Sequence, residues 1–68
     1  MAIDYRGFNI IVAAEYEDKS GMWNGRYRIL DEKKVVVYES FVKPCADQEK
    51  ASEAAKKAAH VWIDEQHI

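Results

Sequence analysis

The chain has one cysteine, one proline and three glycines, and each scarcity removes a class of protein. Cys45 alone cannot close an internal disulfide, so the fold is expected to stand without covalent staples, in a reducing compartment. Gly21 and Gly25 do not make a glycine-rich loop between a strand and a helix, so there is no phosphate cradle of the P-loop or dinucleotide type. Long apolar runs are missing too. The longest, Ile10 to Ala14, falls far short of the roughly 20 residues a membrane span needs, and no basic segment followed by an apolar one opens the chain. A cytoplasmic protein with no membrane contact is expected. Neither sign of charge dominates: residues 1–43 carry seven acidic and seven basic side chains, residues 44–68 five and three, for a net charge of −2. Gripping a nucleic-acid backbone needs clustered Lys and Arg, and neither half is a basic module. No internal repeat or low-complexity tract is present.

What is there suits one small folded domain over residues 1–68, with 49% hydrophobic and 32% charged residues. A domain of this size buries only about 60% of the surface its unfolded chain exposes, so its core has little to spare. The most ordered pattern runs from Asp47 to Gln66. At about 100° per residue, Ala51, Ala55, Ala58 and Trp62 fall on one line, flanked by Ala54, Ala59 and Val61. Glu49, Glu53, Lys56, Lys57, His60 and Asp64 occupy the other side, with Glu53 four residues before Lys57 in the favourable order. Pro44 bars a helix from upstream, Asp47 is a good N-cap, and Glu49 complements the macrodipole in the first turn. A helix beginning near Gln48 follows. Alanine lets backbones approach closely but offers little apolar area, so this helix needs a sheet of larger side chains and depends on Trp62.

The preceding residues supply one. Asp4 to Tyr16 alternates as a strand, with Phe8, Ile10, Val12, Ala14 and Tyr16 on one side and Asn9, Ile11, Ala13 and Glu15 on the other. Gly7, early in it, reads as a bulge or a close backbone contact. Asp18-Lys19-Ser20-Gly21 suits a hairpin with a type I turn and a left-handed fourth position. Met22 to Leu30 then sets Trp23, Gly25, Tyr27 and Ile29 against Asn24, Arg26 and Arg28. After the charged turn Asp31-Glu32-Lys33-Lys34, Val35 to Val42 forms a third strand. Its expected register puts Val35, Val37 and Phe41 inward, with a bulge or edge position relieving Glu39, and Tyr38 outward; a one-residue slip would invert all of these.

The expected fold is α+β: a three-stranded antiparallel meander with one C-terminal amphipathic helix on one face, in the order β-β-β-α. The other sheet face is then open and displays Ile11, Ala13, Asn24, Arg26, Arg28 and Tyr38. Of these, Ile11, Asn24, Arg26, Arg28 and Tyr38 are the candidate binding residues, and the sheet edges are the alternative contact.

Constellations that carry chemistry are sparse. His60, Asp64 and His67 cluster on the helix's polar side in a pattern open to a divalent metal, but without a fourth ligand they read as a solvated face with a His60/Asp64 pair. Cys45 sits near a helix N-terminus, yet no base stands near it in sequence. Neither a catalytic residue nor a cofactor is expected, and Trp23 and Trp62 belong to the core.

Three resemblances bear on these residues. Tyr5-Arg6-Gly7, Gly21-Met22-Trp23 and Trp62-Ile63-Asp64 look like the element boundaries of a group of short, uncharacterised proteobacterial proteins of Burkholderia-like genomes, which implies a β-β-β-α fold. The helical segment resembles that of HicB-type antitoxins at Ala51, Ala55, Ala58, Trp62 and Ile63, implying a strand meander before an amphipathic helix and a partner protein. The strand-then-helix order is also similar to part of double-stranded RNA-binding domains, which grip phosphate with lysines at the start of the final helix; here Asp47-Gln48-Glu49 stand there and Lys56-Lys57 come two turns later. The expectation drawn from the whole is a small interaction module, not an enzyme, that binds a protein partner or itself through the open face or an edge. The alternative is RNA binding through Arg26 and Arg28 with nearby lysines.

Overall fold

A computed structural model describes residues 2–66. The domain is α+β, as expected, but its sheet has four strands: β1 (Ala2–Tyr5), β2 (Phe8–Glu17), β3 (Met22–Leu30) and β4 (Val36–Phe41), followed by α1 (Gln48–Gln66). The strands are antiparallel and lie in chain order, β1-β2-β3-β4.

The extra strand comes from Arg6-Gly7, which is a turn and not a bulge. Arg6 has φ 50° and Gly7 φ 85°, the signature of a two-residue type I′ hairpin, so Tyr5 lies opposite Phe8 and Ile3 opposite Ile10. The parity of the apolar residues carries the signal: Ile3 and Tyr5 are odd, Phe8 and Ile10 even, and only a reversal between them puts all four on one face. The second turn forms as expected, with the Gly21 N–H donating to the Glu17 carbonyl at 2.9 Å and Gly21 at φ 70°.

The register of the final strand is the inverse of the expected one. Tyr38 stands opposite Ile29 and Ser40 opposite Tyr27, so these two face the helix, while Glu39 and Phe41, opposite Arg28 and Arg26, take the open face. Val35 and Phe41, expected inward, are 55% and 63% exposed, and Val37 is exposed as well. The physical reason is the bulge: the ladder shifts between Ile29 and Leu30, Val36 pairs with Leu30, and Val37 drops out of the pairing. A bulge or an edge position was expected to relieve Glu39; the bulge lies at Val37 instead, and Glu39 sits on the edge strand β4, on the open face opposite Arg28.

The core lies between α1 and the two central strands. Ile10, Val12, Tyr27 and Ile29 meet Ala55, Ala59 and Ile63, with Ile3, Tyr5, Phe8, Val42, Ala58 and Trp62 packed around them. The fully buried helical positions are Ala51, Ala55, Ala59 and Ile63, a straight i, i+4 ridge. It is turned from the expected line toward Ile63 and away from Val61, which is exposed. Ala58 and Trp62 are half-buried beside the ridge. Trp62 still shields the core, standing edge-on to Phe8 at 6.2 Å and stacked on Tyr38 at 5.0 Å.

Gly25 explains the alanines. A Cβ built there would lie 2.4 Å from the Ala51 carbonyl oxygen and 2.7 Å from Val42 Cγ2, so the first turn of the helix rests directly on β3. Asp47 caps that turn as expected, accepting the Glu49 N–H at 2.8 Å.

Candidate functional site

The α1 face leaves the reverse of the sheet uncovered by any described element. β2 and β3 bring Ile11, Ala13, Glu15 and Glu17 opposite Arg28, Arg26, Asn24 and Met22, and β4 extends these rows with Glu39 beside Arg28 and Phe41 beside Arg26. Of the sequence-predicted residues, Ile11, Asn24, Arg26 and Arg28 therefore share this face. Tyr38 does not: it lies on the helix side, stacked on Trp62 and 6.0 Å from the Tyr27 ring.

Both arginines are already engaged. Arg28 Nε donates to Glu39 Oε2 directly across the β3–β4 pair, and Arg26 reaches Glu15 at 3.6 Å. Asn24 donates to Glu17 at 3.4 Å, and Asn9 to Asp4 at 2.9 Å. The face thus carries Asp4, Glu15, Glu17 and Glu39 against Arg26 and Arg28, an acidic balance in which each guanidinium has a carboxylate beside it. Between these pairs lie apolar side chains, Ile11 at 38% exposure and Phe41 the most exposed large hydrophobic of the domain's described residues.

Phe41 leads to the β4 edge; the sequence pointed to the sheet edges in general, but not to the apolar side chains exposed on this one. Val36, Val37, Tyr38 and Phe41, with Val35 just before them, are all exposed on a strand that pairs with β3 on one side and has no strand beside it on the other among the described residues. Taking Val35, Val37 and Phe41 as core hid this edge. Composition carried the signal, since Val35 to Val42 holds β-formers with Glu39 as its one charge and neither Lys nor Pro to discourage pairing.

The helix's polar side is not the solvated His60/Asp64 pair expected. His60 is half-buried and stacks on Tyr5 at 4.2 Å, with its Nε2 shielded from solvent and lacking a hydrogen-bond partner among the described residues. Asp64 instead accepts from the Tyr5 hydroxyl at 2.8 Å and pairs with Arg6 Nε at 3.0 Å. Hydrogen bonding with Tyr5, together with the nearby Asp64 carboxylate, raises the Arg6 guanidinium above its ordinary value. This cluster ties the first hairpin to the end of the helix. His67 lies outside the described residues, and among those described no three His, Cys, Asp or Glu side chains converge as a metal site. Cys45 is half-buried, its backbone bridged to Trp23 and its Sγ 3.5 Å from the Lys43 carbonyl.

The shallow hollows lie elsewhere and mix both signs of charge. One of about 400 Å³ sits between two turns, lined by Arg6, Gly7, Phe8, Asp31, Glu32 and Lys33; another runs along Glu53, Lys56, Lys57 and His60. No helix among the described residues is long and apolar enough to cross a membrane. No family model, curated protein or solved structure matches the chain.

Proposed function

We propose that this domain is a small interaction module, without catalytic activity of its own, that binds a protein partner or another copy of itself through the open sheet face and the adjoining β4 edge. The observation that carries this reading is the contrast along β4, where Phe41 is 63% exposed and the three valines Val35 to Val37 also lie open in a chain with few large apolar residues to spare for its core. An edge of this composition offers backbone hydrogen bonds and apolar contact together, which is how strand addition recognises a protein.

RNA binding through Arg26 and Arg28 receives less support. Phosphate would have to displace Glu15 and Glu39, and the surrounding carboxylates repel it. The test compares the wild-type chain with Val36→Lys/Phe41→Lys as bait, alongside light scattering of both. Self-association, or capture of the same protein repeatedly by wild type and never by the variant, supports the reading. A strict monomer with identical capture by both baits overturns it.

A further inference from the structure

Resting on that reading, the β4 edge also carries information about what covers it. The Val42 N–H donates to the Gly25 carbonyl at 2.9 Å, so Val42 is turned toward β3. Antiparallel ladders alternate, which leaves the N–H and C=O groups of Glu39 and Phe41 pointing outward from the sheet. The usable edge is short. It is limited on one side by the bulge at Val37 and on the other by Pro44, which has no N–H to give. Between them, Glu39 and Phe41 alternate on β4, and Lys43 follows two positions on, just past the end of the strand: acidic, aromatic, basic.

That order is self-complementary when reversed. We propose that β4 pairs antiparallel with β4 of a second copy about a two-fold axis at Phe41, extending the sheet across the seam. Each Glu39 then stands opposite the partner's Lys43, and the two Phe41 rings, otherwise open to water, meet at the centre. Lys43 is exposed and has no ion-pair partner among the described residues, while Glu39 is held in place by Arg28, so charges alternate across the seam as Arg28, Glu39 and the partner's Lys43. Competing registers lack this match. An axis at Glu39 opposes two carboxylates, an axis at Ser40 sets Glu39 against the partner's Phe41, and an axis at Tyr38 runs both strands into the bulge.

The test is sedimentation equilibrium combined with cysteine cross-linking. Wild type is expected to show a concentration-dependent dimer. In a Cys45→Ser background, Phe41→Cys is expected to oxidise to a linked dimer well ahead of Glu39→Cys, since paired residues at the axis lie about 5.5 Å apart at Cα, within disulfide range. Lys43→Glu and Glu39→Lys should each weaken the dimer by roughly tenfold, and the double exchange should restore it, with circular dichroism verifying the fold of each variant. Faster linkage of Glu39→Cys overturns the register. A dimer that ignores both charge variants and does not link through residue 41 overturns the edge pairing while the interaction reading survives on the open face. A monomer at every concentration overturns the self-pairing, and capture of a different protein by the intact edge then identifies the partner as another chain.

Discussion

The two faces of the sheet solve opposite problems with the same backbone. On the covered side Ile10 and Ile29 have no exposure at all, and the helix presents Ala51, Ala55, Ala59 and Ile63 so closely that β3 needs glycine at position 25. On the other side, one pleat away, Arg26 and Arg28 lean on Glu15 and Glu39 at the surface, where ion pairs contribute about 0–1 kcal/mol. Stability is concentrated on one face, which frees the other to vary in sequence without unfolding the domain.

The largest expected effect falls on the covered face. Ile29→Ala or Ile63→Ala removes a fully buried side chain and should cost about 2–5 kcal/mol in urea unfolding, enough to leave a domain of this size largely unfolded. Val61→Ala, two residues from Ile63 and exposed, should change stability by less than about 0.5 kcal/mol. Equal losses at 61 and 63 would mean that the helix buries a different ridge. Gly25→Ala comes next, because the added methyl meets backbone carbonyl and not a flexible side-chain end; about 1–3 kcal/mol is expected, visible as a lowered thermal midpoint.

Tyr27 tests the boundary between core and water. Burial, aided by the neighbouring Tyr38 phenol, raises its hydroxyl above the ordinary value, and a hydrogen bond with Ser40 opposes this in part. A raised acid pKa means the folded state holds its proton more tightly than the unfolded chain. The stabilisation is therefore complete below the ordinary tyrosine value of about 10 and is lost as pH rises through the folded value. Tyr27→Phe should cost about 0.5–1.5 kcal/mol at neutral pH and flatten the alkaline decline in stability, as followed by urea titrations across that range. Within the sheet the smallest effect belongs to the open face: Arg28→Gln should cost under about 1 kcal/mol, a loss that shrinks with added salt.

How much of this could be read beforehand differs element by element. The Asp47 cap, the Asp18 to Gly21 turn and the faces of β2 and β3 follow from local chemistry and strict alternation, and they brought Ile11, Asn24, Arg26 and Arg28 together correctly. Tyr38 went to the wrong face because Val35 to Val42 is apolar on both sides, so alternation could not choose a register. Arg6-Gly7 was missed because arginine is uncommon at positive φ, although the change of parity between Tyr5 and Phe8 marked the reversal.

The amino-acid order by itself determined where a helix starts, where two strands alternate and that the helix, rich in alanine, needs a sheet of larger side chains. These depend on neighbours within a few positions, through capping, turn geometry and side-chain periodicity. Only the tertiary structure decided which ridge of α1 is buried and which side of β4 faces water. Both depend on long-range contacts: Ala51 against Gly25 fixes the helix on the sheet, and the bulge opposite Leu30 sets the parity of every residue after it.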